Sequence, residues 1–262
     1  MNGIRVVTAL ALMAALTGGC AGKASSLPPG TVDADKFLYE RGTEAAKDRK
    51  WLNSREYLRN LVDNYPQSPL RPDAKLALGD TYISEKSTES LLLAANEFRE
   101  FLTFYPTHQR ADYAQLQLAR SFMLQMLAPE RDQSSTRDAV KEIEIFLQRF
   151  PNSNLMPEAR KMEREARDRL SEANYKVGYY YFRVKWYPGA IDRFKDVLAT
   201  DPAFSNRDAV YYHLAESLYR TDKQAEALPY YERLLREFEK SEFLELSQKR
   251  VTELKGGAPA GK

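Results

Sequence analysis

Apolar residues along this chain form a short run near the amino terminus and then a series of helix-length stretches with amphipathic spacing. Four of the later stretches end at a proline, in the pairs Tyr65-Pro66, Tyr105-Pro106, Phe150-Pro151 and Asp201-Pro202. Proline cannot continue a helix, and it biases the residue before it away from helical backbone angles. The pattern therefore predicts an all-α chain in which each of these pairs ends a helix.

Small residues recur in pairs before these helix ends, twelve residues apart in three copies and further apart in the two copies that need insertions between the helices. Gly178 is followed twelve residues later by Ala190, then by Phe194, with no gap before the next proline. This spacing resembles the tetratricopeptide repeat, in which small residues let antiparallel helices A and B approach closely. The matching positions in the other copies are Gly42, Ser54, Leu58 and Leu61; Gly79, Ala94, Phe98 and Phe101; Ala119, Ala139, Ile143 and Phe146; and Ala215, Ala227, Tyr231 and Leu234.

The predicted fold is a tetratricopeptide-repeat superhelix of about five antiparallel helix pairs. It forms one domain over residues 36–255, because glycine is scarce there and no flexible linker interrupts it. The repeats are predicted at residues 36–66, 70–106, 109–151, 157–202 and 205–239, with inserted loops at 84–90 and 128–136. One unusually long helix is expected from Pro157 towards Trp186. Only a flexible tail, residues 256–262, is expected after the domain.

The amino-terminal run has the anatomy of a signal peptide over residues 1–19, with Arg5, an apolar segment and small residues before Cys20. Cys20 is the only cysteine, and its position resembles a bacterial lipobox, which predicts a lipidated residue followed by a flexible tether over 20–35. Thr17 stands where lipoboxes usually have leucine, with Leu16 one place earlier. An ordinary signal peptide that ends by coincidence at a cysteine is the alternative interpretation.

The charge balance limits the partners of the mature chain. Removing residues 1–19 takes away Arg5 alone, which leaves 38 of the 39 basic residues against 37 acidic ones. Nucleic acid is not an expected partner, because phosphate binding needs an excess of cations on the surface.

No catalytic or metal-binding motif is found in the sequence. His108 and His213 have no metal-ligand spacing, and neither a phosphate-binding glycine loop nor a nucleophile motif is present. The sequence therefore predicts a protein that is not an enzyme and needs no cofactor or metal. Both histidines are expected to be structural.

The aromatic and cationic residues of the fourth repeat are the candidates for partner binding. The members singled out are Tyr180, Arg183, Trp186 and Arg193. The full set is Tyr179, Tyr180, Phe182, Arg183, Lys185, Trp186, Tyr187 and Arg193. Tyrosine, tryptophan and arginine dominate the energetics of protein interfaces. The alternative, which the sequence leaves open, is that the aromatic run packs inside the repeats.

Several short segments of the sequence resemble those of one family, the BamD-like lipoproteins of the β-barrel assembly machinery. They are Tyr105-Pro106-Thr107-His108 with Asp112-Tyr113, Arg131-Asp132 in the third repeat, Phe150-Pro151-Asn152-Ser153, and Tyr180-Tyr181 ahead of residues 190–193 and Asp201-Pro202. Their order covers nearly the whole mature chain.

The resemblance implies a lipid-anchored protein on the periplasmic face of the outer membrane that helps to fold and insert β-barrel proteins. Its implied partners are a POTRA domain of a BamA-like barrel protein, unfolded outer membrane proteins and other assembly lipoproteins. Arg193 matches an arginine of the POTRA interface. The alternative function is that of a repeat lipoprotein in another envelope system, such as a pilus or secretin pilot or a peptidoglycan-associated coordinator; such proteins usually have more regular repeats without insertions.

Overall fold

The computed structural model describes residues 32–256, and within this range the chain forms eleven α-helices and no β-strand. The predicted signal peptide and Cys20 lie outside the described residues, as does most of the predicted tether and tail. The helices are α1 (Ala34–Lys47), α2 (Trp51–Asn64), α3 (Arg71–Glu85), α4 (Thr88–Phe104), α5 (Ala111–Met123), α6 (Ser134–Arg149), α7 (Met156–Arg183), α8 (Tyr187–Thr200), α9 (Arg207–Tyr219), α10 (Gln224–Glu237) and α11 (Leu244–Gly256).

Each predicted proline stop coincides with the end of a helix. Helices α2, α4, α6 and α8 all end one residue before the aromatic or acidic residue of the pair. The residue before each proline has left the helical region; Tyr105, for example, has φ −128° and ψ 52°. Proline thus ends these helices through the backbone restriction that it imposes on its predecessor.

The described residues divide into two compact units, 32–74 and 75–256. In the first unit, α1 and α2 form an antiparallel pair around Gly42. A Cβ atom on Gly42 would lie 2.7 Å from Cγ of Leu58, and Oγ of Ser54 donates a 2.7 Å hydrogen bond to the Gly42 carbonyl. The small residues at the first predicted repeat therefore allow two backbones to touch.

In the second unit, consecutive helices from α4 to α11 pack against one another. The same close approach recurs, because a Cβ atom on Gly79 would lie 2.6 Å from the Phe98 ring and one on Gly178 would lie 2.8 Å from the Phe194 ring. Ala119, Ala190, Ala215 and Ala227 are completely buried. The all-α tetratricopeptide-repeat fold class is confirmed, while the repeat boundaries and the single domain stay predictions.

Two expectations about the helix connections are wrong. The predicted loop at 84–90 is mostly helical, since α3 runs to Glu85 and α4 begins at Thr88, so the extra residues lengthen the helices instead. The second insertion lies earlier than predicted, at residues 124–133, because Ser134 already starts α6. The sequence pattern alone does not show whether inserted residues lengthen the neighbouring helices or form a loop between them.

Helices α7 and α11 differ in how well the sequence predicts them. Helix α7 has 28 residues with Pro157 in its first turn, which confirms the long helix. Helix α11 was not predicted as an element after the fifth repeat. It packs against α10 and buries Ser247 and Val251, so the chain adds a further helix there, whose exposed residues are mostly polar.

A hydrogen bond between serine and aspartate recurs where one repeat passes into the next. The serine follows the end of helix B, and the aspartate lies at the start of helix A or, in α7, further along it. The Oγ–Oδ distances are 2.5 Å for Ser68 and Asp35, 2.6 Å for Ser153 and Asp112, and 2.7 Å for Ser205 and Asp168. These bonds tie together the two ends of a helix pair.

Candidate partner-binding surface on α7 and α8

The predicted binding residues lie at the carboxyl end of α7 and on α8. Tyr180 is 62% exposed and Trp186 is 54% exposed. The Tyr181 ring lies between them, with its centroid 5.9 Å from that of Tyr180 and 4.6 Å from that of Trp186. The three side chains form a continuous aromatic strip on the surface of the fourth repeat.

The turn between α7 and α8 holds Trp186 in place. Lys185 has a left-handed backbone with φ 63°, and the Trp186 amide donates a 2.9 Å hydrogen bond to the Tyr181 carbonyl. Gly189 leaves room for the indole, because a Cβ atom there would lie 2.5 Å from the ring. Trp186 is therefore held against the start of α8 although more than half of its surface is exposed.

Arg193 lies one helical turn beyond Gly189, on the same side of α8, and its Cβ is 3.2 Å from the position of a Cβ on Gly178. Arg183 lies one turn beyond Tyr180 on α7, and both arginines are exposed. The structure thus places Trp186 and Arg193 along one side of α8, and Tyr180 and Arg183 along one side of α7.

Arg183 and Arg193 are unusual in having no side-chain partner. Among residues 75–256, only Arg131, Arg183 and Arg193 are arginines whose guanidinium has no hydrogen bond, ion pair or ring contact. The first half of α7 is the opposite case, with ion pairs such as Arg160 with Glu163 and Arg164 with Asp168. The two arginines are therefore available to a carboxylate from outside the chain.

Two other aromatic residues of the run pack against a neighbouring helix, although Tyr179 is still 37% exposed. Tyr179 and Phe182 turn towards α9, where their ring centroids are 5.0 Å and 5.1 Å from that of His213. His213 is buried, and its Nδ1 lies 2.7 Å from the Ala209 carbonyl oxygen. Burial lowers the pKa of His213, which favours the neutral ring. The packing interpretation therefore holds for the face of α7 that meets His213, while partner binding by the exposed face stays a prediction.

A polar cluster that the sequence did not indicate joins α3 to α5. The Tyr113 hydroxyl donates a 2.8 Å hydrogen bond to Oδ1 of Asp80 and accepts one of 2.7 Å from Nε2 of Gln117. Burial raises the pKa of Asp80 to about 6, although Tyr113 and two nearby arginines oppose the shift. No spacing rule links the two residues, so only the packing of the helices shows the pair.

We expect Asp80→Asn to stabilise the protein by about 1 to 2 kcal/mol near neutral pH, because asparagine keeps the acceptor for Tyr113 and removes a charge that burial disfavours. An acid with a raised pKa in the folded state weakens stability as pH rises from its ordinary value of 3.8 towards about 6. The gain should therefore vanish below that window. Thermal unfolding at a series of pH values measures this, and a gain that does not depend on pH would contradict it.

Within residues 32–256 no group of histidine, cysteine, aspartate and glutamate side chains is arranged to hold a metal ion, and no helix in this range is long and apolar enough to cross a membrane.

Comparison with known proteins shows which family the chain belongs to. The YfiO family model, described as outer membrane lipoprotein, matches residues 32–218, and a tetratricopeptide repeat model matches residues 209–241. Outer membrane protein assembly factor BamD of Caulobacter vibrioides is 26% identical over 216 residues, which is 81% of this chain and 69% of the relative.

Two further relatives have the same name. The BamD of Rickettsia prowazekii is 23% identical over 216 residues, which cover 82% of this chain and 81% of the relative. The BamD of Vibrio cholerae is 25% identical over 175 residues, which cover 63% of this chain and 71% of the relative. Because the YfiO model spans well over half of the sequence, the chain belongs to the YfiO family of outer membrane lipoproteins.

Proposed function

We propose that this chain is a scaffold in the assembly of outer membrane proteins. Its family comprises non-enzymatic accessory proteins, and several relatives are named for outer membrane protein assembly. The tetratricopeptide-repeat fold supports the proposal, since stacked helix pairs present extended surfaces to other proteins. Unfolded outer membrane proteins are the proposed substrates.

The proposed attachment to the membrane is through lipid on Cys20, with the helical units on the periplasmic face of the outer membrane. Acyl chains contribute about 0.8 kcal/mol for each buried methylene, so two or more chains give stable anchoring. The segment between Cys20 and the start of α1 is short, which would keep α1 near the membrane.

The proposed partner is a POTRA domain of the barrel component, which docks on α7 and α8. The observation that supports this most strongly is an exposed aromatic strip beside two arginines without partners, at the carboxyl end of α7 and on α8, whereas the first half of α7 is covered with ion pairs. Aromatic anchors supply binding energy, and unpaired arginines pair with carboxylates of a docking protein.

We expect Arg193→Glu to reduce capture of the barrel partner about tenfold or more, because the reversed charge repels a carboxylate that the arginine attracts. The measurement is co-purification of the lipidated protein, with its amino terminus determined by mass spectrometry, and the barrel protein of the same genome. Arg99→Glu is the matched control, because Arg99 is an exposed helical arginine that bonds only to Asn96.

Arg193→Glu should leave the thermal unfolding curve unchanged, since an exposed charge rarely affects a repeat core. Equal capture by Arg193→Glu and Arg99→Glu would remove Arg193 from the interface. Absence of the barrel protein from the wild-type sample would contradict the proposed function itself.

A further inference from the structure

The connection between α5 and α6, residues 124–133, has a defined shape although it is long. Gln133 is 6% exposed, and its Nε2 donates hydrogen bonds of 2.8 Å to the Ala128 carbonyl and 3.1 Å to the Arg131 carbonyl. Its Oε1 accepts a 2.8 Å hydrogen bond from the Thr136 hydroxyl. A single buried side chain therefore holds the second half of the connection against the start of α6.

Two contacts also fasten this connection to α7. Nη1 of Arg169 donates a 3.2 Å hydrogen bond to the Leu127 carbonyl, and Lys176 forms an ion pair with Glu130. Arg169 and Lys176 are seven residues apart, which is two turns along one side of the helix. The connection therefore lies along the outer side of α7 instead of projecting into solvent.

A cleft of about 480 Å3 lies between the connection and α7. Pro129 and Arg131 line one wall, while Val177, Tyr180 and Tyr181 line the other. Val177 is 40% exposed and Tyr180 is 62% exposed, so the apolar wall of the cleft is open. Tyr180 and Tyr181 belong to the aromatic strip as well, which makes the cleft continuous with the docking surface on α7 and α8.

The charges around the cleft favour one kind of occupant. Arg131 on its rim has no side-chain partner among residues 75–256, whereas Glu130 is paired with Lys176. An unpaired arginine beside an apolar wall is complementary to a large apolar side chain with a carboxylate nearby. Such an anchor in a preformed pocket is typical of the residues that dominate binding energy.

We infer that the cleft between residues 124–133 and α7 is an anchor pocket, which takes a large apolar side chain of the docking partner and pairs Arg131 with a neighbouring acidic side chain. The inference rests on the proposed function, because the same partner would cover the aromatic strip. It adds the third-repeat connection to the interface, as a wall whose position depends on the ion pair between Lys176 and Glu130.

A charge exchange tests the role of this wall. Glu130→Lys places two like charges together and should release the connection from α7, which lowers capture of the barrel partner several-fold. Lys176→Glu should do the same. The double variant Glu130→Lys with Lys176→Glu restores an ion pair of reversed polarity, so capture should return to nearly the wild-type level. Equal loss in the single and double variants would overturn the role of the ion pair.

Val177→Glu tests the pocket itself, since a charge on the apolar wall should reduce capture about tenfold. Leu246→Glu on α11 is its matched control, because Leu246 is a similarly exposed apolar helical residue, 49% exposed against 40% for Val177. Thermal unfolding should be the same in both variants, and Arg131→Glu should weaken capture as well.

The outcomes separate this inference from the proposed function. Loss of capture by Arg193→Glu together with normal capture by Val177→Glu and Glu130→Lys would overturn the pocket and leave the docking surface. A wild-type chain that captures no barrel protein would overturn both. If Val177→Glu abolished self-association of the chain instead of partner capture, the cleft would belong to a second copy and the inference would be wrong.

Discussion

Gly178→Leu should unfold the fourth repeat, with a loss of about 3 kcal/mol or more in stability. Overpacking a closely packed core usually costs about 1 to 3 kcal/mol. Here even a Cβ atom would lie 2.8 Å from Cε1 of Phe194 and 3.2 Å from Cβ of Arg193. Since α8 cannot move away without exposing Phe194, which is completely buried, the new side chain has no space to enter.

Thermal unfolding and hydrogen exchange in α7 and α8 measure this effect. Gly256→Leu is the control, because Gly256 is also a helical glycine but nothing lies within 4 Å of a Cβ atom there. A double-mutant cycle with Phe194→Ala locates the cause: the two substitutions together should cost less than the sum of each alone. Additive losses, or a wild-type melting curve for Gly178→Leu, would contradict the close approach of α7 and α8.

Arg250→Ala should cost about 2 to 3 kcal/mol, because it removes the main partner of a buried carboxylate. Glu216 in α9 is 2% exposed. Nε of Arg250 donates to one of its oxygens at 2.6 Å and Nη2 to the other at 3.3 Å, and the Tyr231 hydroxyl donates at 2.7 Å. The Arg250 guanidinium also lies 4.2 Å from the Tyr219 ring centroid, so this residue links α11 to α9.

The pH dependence gives this prediction a second test. Burial by itself would raise the pKa of Glu216, but the hydrogen bonds from Arg250 and Tyr231 hold it below its ordinary value of 4.5. A carboxyl group with a lowered pKa stabilises the fold above that value and loses this contribution as pH falls below it. Arg250→Ala should therefore reduce the loss of stability on acidification.

Arg236→Ala on α10 is the matched control for Arg250→Ala. The Arg236 side chain is 72% exposed, and its ion pair with Glu237 is long, at 3.8 Å between Nη2 and Oε1. Removing this side chain should therefore change stability by less than about 0.5 kcal/mol. Equal melting temperatures for Arg236→Ala and Arg250→Ala would show that α11 is not held by Glu216.

Helix positions that depend on local chemistry followed from the sequence. The prolines at 66, 106, 151 and 202 ended helices as predicted, because proline restricts its own predecessor and needs no distant partner. The small residues at 42, 79 and 178 also lie where helices touch, since the repeat places a bulky residue opposite each of them.

Elements that depend on distant contacts did not follow from the sequence. Helix α11 is stabilised by the ion pair of its Arg250 with Glu216, which lies 34 residues earlier in α9. No local sequence pattern predicts a pair at that separation. The pairs of Tyr113 with Asp80 and of Lys176 with Glu130 have the same character, because each joins residues at least 33 positions apart.

The candidate site shows this division most clearly. The sequence by itself determined the all-α repeat fold, the family resemblance and the concentration of aromatic and cationic residues near the end of α7. Only the tertiary structure decided that Tyr180 and Trp186 are more than half exposed, whereas Phe182 and one side of the Tyr179 ring pack against His213. Successive residues on a helix point about 100° apart, and whether a side chain is free depends on which neighbouring helix or connection covers its face.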